Sequence, residues 1–355
     1  MKLALITDQH FGCRSDSHIF LEYQERFYKE IFFPYIDENK IDAIVDLGDT
    51  LDRRKFINYL VLNQVKKFWF DEVKKRNLEL HALIGNHSAY FKNTNEVNSL
   101  RILFDNIENF HIYEEPTVLD FEGTNILMFP WIVKDNEEAA LKVIEKTKAE
   151  IIFGHFDLIG FDQYKGLTNI DNGFKAAVFE KFDMVISGHY HHKSSKNNIH
   201  YLGAPYEMVW SDYDDPRGFH VFDTDTRTLE FIENPLHIFN KIYYNDTDKT
   251  YDDLVANANL AQHKDCYVKI VVSQKSNQYI FDQFMEALYK ENPADVSVVE
   301  SVMDFSVDFE AIDESKDTLT ILVEYIEGLP IAKENKKPVI DLMKQVYLES
   351  LSVEV

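Results

Sequence analysis

Short apolar runs alternate with polar, often glycine-led clusters and with helical stretches over the first two thirds of the chain. The runs of strand length cover residues 3–7, 41–47, 78–84, 151–153 and 184–187, and the predicted helices include 19–38, 56–76 and 136–148. Apolar strands that alternate with helices are typical of a buried, largely parallel sheet. The pattern therefore predicts an α/β fold.

From about Asn197 the pattern changes to short strands and turns, which predicts antiparallel pairing in the second half of this core. A polar stretch at residues 246–250 marks a boundary. The segments that follow predict a small α/β unit made of a helix, a strand, a helix and a strand: 251–262, 266–273, 278–291 and 296–302. We expect three parts, 1–245, 246–312 and 313–355.

Two short helices, at 318–329 and 338–351, are predicted at the end of the chain. The second carries an apolar stripe at helical spacing, formed by Val339, Leu342, Met343, Val346, Tyr347 and Leu351. Such a stripe commonly packs on the protein's own core. It can equally dock in the groove of a partner. The sequence leaves both interpretations open.

Composition and segment lengths exclude several classes of protein. The chain has 355 residues, of which 45% are hydrophobic, so it can bury a substantial core. No apolar run approaches the roughly 18 residues of a membrane span, and the first residues turn polar too early for a signal peptide. Cys13 and Cys266 are the only cysteines, which argues against a disulfide framework or a thiolate zinc site. We expect a cytoplasmic protein.

The net charge bears on the kind of partner that the chain can bind. The sequence has 37 Lys and Arg against 61 Asp and Glu, a formal charge of −24. This is the wrong sign for holding DNA by electrostatics alone. Bound divalent metals and a DNA-binding partner would remove the difficulty. Most of the surplus carboxylates serve only to keep the surface soluble.

Five of the apolar runs end in side chains that bind metals. In chain order these are Asp8 with His10, Asp49, Asn86 with His87, His155, and His189 with His191. The carboxyl ends of strands in an open α/β sheet face one crevice, so we expect these groups to converge. Carboxylate, imidazole and amide ligands without thiolates suit manganese, with iron or zinc possible. The sequence predicts a site for two metal ions.

The combination of the motifs DxH, GDxxD, GNH, GH and GHxH resembles the calcineurin-like metallophosphoesterase superfamily. The resemblance implies a four-layer α/β/β/α sandwich with a small α/β capping domain and C-terminal helices. It also implies two groups of ligands that share Asp49 as a bridge. One metal would be held by Asp8, His10, Asp49 and His191, and the other by Asp49, Asn86, His155 and His189.

His87 matches the family's histidine that is not a ligand and acts on the scissile phosphate. Ser88 stands where many relatives carry a carboxylate, so we expect Asp52 to supply the carboxylate that orients His87. Arg53 lies in the sequence GDTLDRR and is similar to the arginine with which protein phosphatases hold a phosphomonoester. A surface salt bridge is the alternative role for Arg53.

Within the superfamily, Gly12 in DxHxG, the extra unit and the terminal helices resemble SbcD-type nuclease subunits of double-strand-break repair. Residues 154–224 are similar to the recombination endonuclease subunit of T-even-type phages. This similarity implies localisation in the host cytoplasm. The resemblance implies manganese-dependent exonuclease and endonuclease cleavage of DNA by a homodimer. It also implies that 246–312 binds DNA and that an SMC-like ATPase of the SbcC type is the partner.

Two other functions are compatible with the same motifs. A phosphoprotein phosphatase or small phosphodiesterase would share the metal ligands, but it would leave the small unit and the helical tail unexplained. A non-catalytic scaffold on the same fold would have no need of all seven ligands. We therefore expect an enzyme, and for the terminal stripe we expect the role of docking the ATPase.

Overall fold

The computed structural model describes residues 1–170, 173–300, 318–328 and 333–352. The chain divides into two units, Met1–Leu236 and His237–Val355. The division precedes the expected boundary at residue 245, because the strand Phe239–Asn245 pairs with the strand Tyr267–Gln274 in the sheet of the second unit. The expected boundary at 312 lies outside the described residues.

The strands of the first unit are numbered in chain order. They are β1 (Lys2–Ile6), β2 (Ala43–Asp46), β3 (Glu79–Leu83), β4 (Phe110–Tyr113), β5 (Thr117–Phe121), β6 (Thr124–Phe129), β7 (Ile151–His155), β8 (Asp162–Tyr164), β9 (Leu167–Thr168), β10 (Met184–Gly188), β11 (Ser194–Lys196), β12 (Ile199–Tyr201), β13 (Gly218–Asp223) and β14 (Thr228–Glu233). The strands β8 and β9 form a separate hairpin. The others build two sheets, with the orders β14-β13-β1-β2-β3-β4 and β11-β12-β10-β7-β6-β5.

Both sheets are parallel in their centres and antiparallel at an edge. In the first sheet β1 to β4 run parallel, and β13 pairs antiparallel with β1 and β14. In the second, β6, β7, β10 and β12 run parallel, and β5 and β11 are antiparallel to their neighbours. The structure confirms the predicted parallel α/β core and the antiparallel pairs after Asn197. The strands β4 to β6 were not predicted.

The apolar inner faces of the two sheets pack against each other. Leu5 and Val45 from the first sheet share one buried cluster with Phe153 and Ile186 from the second. Each of these side chains is fully buried. Burial of such side chains contributes roughly 1.5–3 kcal/mol each. The site described below lies where strands of this sandwich end.

Helices cover the outer faces, with the bounds Cys13–Asp16, His18–Arg26, Phe27–Phe32, Phe33–Asn39, Tyr59–Val65, Lys66–Phe70, Asp71–Lys75, Ser99–Phe104, Glu137–Lys146, Ala176–Phe179 and Trp210–Asp212. Trp69 packs on Phe32, and Phe32 packs on Phe219 of the first sheet. Ile144 belongs to the buried cluster on the second sheet. The unit is therefore the expected α/β/β/α sandwich.

One predicted helix begins later than its apolar pattern suggested. The pattern predicted a start at residue 56, whereas the helix begins at Tyr59. Asn58 is its N-cap, and the side chain of Asn58 accepts a hydrogen bond from the backbone N–H of Leu60. An asparagine in this position satisfies a backbone donor that the first helical turn leaves free.

The second unit contains a three-stranded parallel sheet with the order β15-β16-β17. Its strands are β15 (Phe239–Asn245), β16 (Tyr267–Gln274) and β17 (Asp295–Glu300), and its helical segments before residue 300 are Tyr251–Ala258, Leu260–His263 and Gln278–Lys290. Ile270, Phe284 and Leu288 form part of its buried core. The helices and strands predicted for a small α/β unit are present.

Two helices, Thr318–Gly328 and Lys333–Ser352, are described near the end of the chain. The second begins before Pro338 rather than at it, so Pro338 lies inside the helix. Three of its apolar side chains are exposed: Val339 by 39%, Leu342 by 61% and Val346 by 56%. The described part of the chain has no helix long and apolar enough to cross a membrane.

Candidate metal centre

The predicted ligands follow the ends of parallel strands in both sheets. Asp8 and His10 follow β1, Asp49 follows β2, Asn86 and His87 follow β3, His155 ends β7, and His189 and His191 follow β10. Because β1 to β3 run parallel, as do β7 and β10, each sheet presents these side chains at one edge. The structure brings side chains from the two edges within hydrogen-bonding distance of one another.

One group of ligand atoms surrounds His10. Asp8, His10 and His191 each offer an atom within 4.8 Å of the others. The Nε2 atoms of His10 and His191 are 3.1 Å apart, and Nε2 of His10 is 3.9 Å from Oδ1 of Asp8 and 4.0 Å from Oδ2 of Asp49. These atoms all have lone pairs that a cation can accept.

A second group lies around Asn86. Oδ1 of Asn86 is 3.0 Å from Nε2 of His155 and 2.9 Å from Nδ1 of His189. Nε2 of His155 is also 3.2 Å from Oδ2 of Asp49. The same carboxylate oxygen of Asp49 therefore faces His155 in this group and His10 in the first. An amide oxygen and carboxylate between imidazoles form a donor set that fits a borderline divalent metal.

The imidazoles are held in orientations that leave one nitrogen for the centre. Nδ1 of His155 donates to the carbonyl of Leu47 at 2.8 Å, which leaves Nε2 as the nitrogen that faces Asp49. Nδ1 of His10 is 3.3 Å from Oδ1 of Asp52. Partners of this kind fix the tautomer and ring orientation of histidines that bind metals.

Several of these residues have a left-handed backbone conformation that residues other than glycine rarely adopt. The φ angles are 51° at Asp8, 44° at His10, 57° at Asp49 and 89° at His189. Left-handed backbone in non-glycine residues costs free energy and is concentrated at functional sites. The surrounding fold therefore holds these side chains in place.

Two glycines let the loops of the GD and GN motifs approach each other. A Cβ on Gly48, whose φ is +110°, would lie 2.7 Å from Nδ1 of His155. A Cβ on Gly85 would lie 2.2 Å from Oδ1 of Asp49. Any larger residue at either position would displace a side chain of the centre.

Burial and mutual attraction set the ionisation of the group. Burial raises the pKa of Asp8. Burial also opposes the charge of Asp49, but His155 and His87 hold the pKa of this carboxyl well below its usual value. Burial lowers the pKa of His155, and Asp49 more than offsets this and raises it to about 9. A buried carboxylate that stays ionised favours binding of a cation.

The structure corrects the expected role of the Asp52 carboxylate. It is the backbone carbonyl of Asp52, not its side chain, that accepts from Nδ1 of His87, at 2.5 Å. The carboxylate is directed to His10 instead. Ser88, which stands where a carboxylate was expected, is buried. His87 is therefore oriented by backbone, and its Nε2 is left available.

Arg53 forms an ion pair with Asp16, with 2.9 Å between Nη1 and Oδ2. Its guanidinium carbon also lies 4.8 Å from the centroid of the Phe56 ring. Asp16 belongs to a short turn in which Arg14 and Ser15 also have left-handed φ angles. Arg53 is thus a salt-bridge partner in the structure, but the carboxylate of Asp16 is half-buried rather than exposed at the surface.

Sequence reasoning missed a buried ion network behind His191. Arg217 donates to the backbone carbonyl of His191, and its Nη2 lies 2.8 Å from Asp212 and 2.7 Å from Asp215. Nδ1 of His192 is 3.0 Å from Asp215. Arg217 and Asp212 are almost fully buried. The run of charges in SDYDDPRG was visible, but nothing in it indicated a contact with the GHxH motif.

Two further residues near the centre were not predicted. The ring of Trp131 lies 4.9 Å from that of His189 and 5.8 Å from that of His155. Oδ1 of Asp157 is 4.0 Å from Nε2 of His189, on the side of the imidazole away from Asn86. Neither belongs to a motif, so no pattern in the sequence singled them out.

The predicted docking residues Val339, Leu342, Met343, Val346 and Tyr347 lie on the helix Lys333–Ser352 of the second unit. Met343 and Tyr347 are half-buried, and the other three are exposed.

Comparison with known proteins identifies similar chains. A family model described as calcineurin-like phosphoesterase matches residues 1–193. The chain is 29% identical to Exonuclease subunit 1 of Enterobacteria phage T4 over 353 residues, with 99% of each chain covered. It is 23% identical to the SbcD component of the nuclease SbcCD of Staphylococcus epidermidis, with 93% of each chain covered. The protein of the same name from Staphylococcus saprophyticus is 25% identical over 53% of this chain and 51% of its own.

Proposed function

This chain belongs to the calcineurin-like phosphoesterase family, and from that premise we propose that it is the metal-dependent nuclease subunit of a complex for DNA repair or recombination. Relatives matched over almost the whole chain are named as exonuclease and nuclease subunits. These names give no support to a phosphatase or to a non-catalytic scaffold. The observation that carries the proposal is the convergence of buried carboxylates and imidazoles at the edges of both sheets.

We assign two sets of metal ligands that share Asp49. Asp8, His10, Asp49 and His191 would hold one ion, and Asp49, Asn86, His155 and His189 the other. The position of the Asp49 carboxylate, 3.2 Å from His155 and 4.0 Å from His10, supports the shared role. Two ions so placed would polarise the phosphate and lower the pKa of a bound water for in-line attack.

His87 is the residue that we assign to the scissile phosphate. Its backbone N–H donates to Oδ1 of Asp49 at 2.8 Å, which fixes it beside the bridging ligand. Its ring meets that of His10 edge to face, with 4.8 Å between centroids. Because Nδ1 donates a hydrogen bond to the Asp52 carbonyl, Nε2 of the protonated ring is the atom that would stabilise or protonate the leaving oxygen. The Asp52 carboxylate orients His10.

Manganese is the ion that we propose for both positions. The donor set contains nitrogen and oxygen and no sulfur, which suits manganese better than calcium. A metal series measures this directly: the purified protein is freed of metal, loaded with manganese, magnesium, zinc or calcium, and assayed on the same DNA. We expect the highest turnover with manganese. Equal activity with calcium would contradict the assignment.

DNA and an SMC-like ATPase of the SbcC type are the proposed partners. The formal charge of −24 leaves the chain poorly equipped to hold DNA alone, so a partner would supply much of the grip. Residues 246–312 are the proposed DNA-contacting cap. The exposed stripe at Val339, Leu342 and Val346 is the proposed docking surface for the ATPase.

We propose that the chain acts as a homodimer. Three large apolar side chains around the start of the helix Tyr59–Val65 are exposed: Phe56 by 56%, Tyr59 by 86% and Leu60 by 51%. Adjacent apolar side chains of this size are candidates for an interface. Light scattering of the wild type and of the Tyr59→Glu variant tests this. A dimer that the substitution dissociates is expected, and a monomeric wild type would refute it.

The decisive experiment uses end-labelled duplex DNA with the purified chain, manganese and, in parallel, the ATPase. We expect nucleotides or short fragments to be released, with a rate that the ATPase and ATP increase. The Asp49→Asn variant controls for contaminating nucleases. Hydrolysis of a phosphomonoester without cleavage of DNA would instead establish a phosphatase. If neither substrate is hydrolysed with any metal, the non-catalytic scaffold is the function that remains.

A further inference from the structure

A cavity of about 500 Å³ opens beside His155. Such a volume falls within the range of roughly 300–1,000 Å³ that small-ligand pockets span. The walls combine aromatic and apolar side chains with polar and charged ones, among them Trp131, Phe174, His155, Lys134, Glu137 and Asp157. No role assigned so far uses this space, although one wall is a proposed metal ligand.

The backbone of Trp131 is fixed at both of its polar groups. Its N–H donates to the carbonyl of Ile84, directly before the GNH motif, at 2.7 Å. Its carbonyl accepts from Nδ2 of Asn95 at 2.8 Å. The ring is partly exposed and lies 4.9 Å from that of His189. The backbone that carries this aromatic ring is thus fixed, and the ring lies beside His189 and lines the cavity.

The wall around Phe174 is also fixed. The N–H of Phe174 donates to the carbonyl of Asp157 at 2.8 Å, and its carbonyl accepts from the N–H of Ile159 at 3.0 Å. A Cβ on Gly173 would lie 2.0 Å from the carbonyl oxygen of Asp157, so this segment packs tightly. Hydrogen bonds therefore fix the backbone of both aromatic walls.

We propose that this cavity receives the nucleobase of one nucleotide next to the scissile phosphate, with Trp131 as the stacking surface. The inference rests on the proposed nuclease function, because it places the reacting phosphate at the metals. Stacking on an aromatic ring accepts every base, since each base has a π-face. Lys134, exposed at the rim, suits the neighbouring backbone phosphate.

This arrangement requires the flanking nucleotide to be unstacked from its neighbours. A base inside a duplex is covered on both faces and cannot enter such a cavity. The cost of unstacking is lowest where the strand is frayed, mismatched or single. Cleavage should therefore be faster where the nucleotide beside the scissile bond is unpaired, whatever its sequence.

The test compares two proteins on matched single-stranded oligonucleotides. One substrate is intact, and the others carry a single abasic site on either side of the cleavage position. On the intact strand Trp131→Ala should lower kcat/KM by roughly ten- to a hundredfold, as expected for loss of a stacking aromatic. On the strand that lacks the relevant base, wild type and Trp131→Ala should cleave at nearly the same rate. Trp131→Phe should restore most of the activity.

Metal content separates base recognition from support of the ligands. If Trp131 only buttresses His155 and His189, Trp131→Ala will lose bound manganese and slow equally on intact and abasic strands, which would overturn the inference. Phe174→Ala, which removes a second wall, should give the same dependence on the base. Were the wild type to cleave no DNA at all, the nuclease function itself would fail. If the wild type cleaves normally but the variants are slowed equally on every substrate, only the assignment of the pocket to a nucleobase would be refuted.

Discussion

The side chains at the candidate metal centre and those on the helix Lys333–Ser352 differ in their exposure to solvent. At the centre, Asp8 and His155 are 0% exposed and Asp49 is 1% exposed. On the helix, Leu342 is 61% and Val346 is 56% exposed. The fold buries the side chains of the candidate metal centre, whereas apolar side chains of the helix are exposed to solvent. Changes at the centre should therefore act on chemistry in the isolated chain, and changes on the helix should act only when a partner is present.

The largest expected effect is that of Asp49→Asn. The substitution removes a buried charge that faces both ligand groups, and several kcal/mol of transition-state stabilisation would be lost. We expect cleavage to fall by at least about a thousandfold and metal binding to weaken at both positions. Mass spectrometry of metal content and a cleavage assay measure this, with Asp71→Asn, an exposed carboxylate, as the control. Two fully bound ions with normal turnover would refute the bridging role.

The next effect is that of His87→Gln. The ring is held by the Asp52 carbonyl beside the centre, within reach of His10 and Asp49, and we assign the ligand position to Asn86 rather than to His87. The chemical step should slow by roughly a hundred- to ten-thousandfold while metal content stays at the wild-type level. Single-turnover kinetics and metal analysis test both halves. Loss of an ion in this variant would mean that His87 is a ligand.

Arg217→Met should give a smaller loss that acts through His191. The substitution leaves Asp212 and Asp215 buried without their cation, which costs about 3–5 kcal/mol of unfolding free energy. Metal affinity should fall by roughly ten- to a hundredfold because the His191 backbone loses its support. Arg227→Met is the matched control, since Arg227 is 42% exposed and bridges Glu150 and Asp183. An unchanged manganese titration would contradict the positioning role.

The smallest effect on the isolated chain is expected for Leu342→Glu with Val346→Glu. Because both side chains are already exposed, the melting temperature and basal cleavage should stay close to wild type. Co-purification with the ATPase and stimulation by ATP should be lost, because each charge would be forced into an apolar contact. Lys337→Glu adds charge elsewhere on the same helix and controls for it. A destabilised protein that still binds the ATPase would remove the docking assignment.

The sequence predicted those parts of the fold and site that depend on local patterns. Continuous apolar runs predicted β1 to β3, β7 and β10, and residues at their ends supplied the candidate ligands. The strands β4 and β5 were missed because polar residues such as His111 and Asp120 interrupt their apolar pattern. The strand β6 was also missed, although its last four residues form a continuous apolar run. The role of Asp52 was assigned to the wrong group, since a contact through a backbone carbonyl leaves no side-chain signature. Arg217 and Trp131 contact His191 and His189 across a large separation in sequence, which no local pattern reveals.

The packing between the two sheets has a consequence for the spacing of the proposed ions. Each proposed ligand set draws residues from both sheets, so the two halves of every coordination sphere sit on opposite layers of the sandwich. Facing sheets are separated by roughly 10 Å, and that separation is set by the volume of the side chains between them. The side chains of Phe153 and Ile186 therefore help to set the distance between the two sheets. The magnetic coupling between two manganese ions would then report on hydrophobic packing by residues that are not themselves ligands.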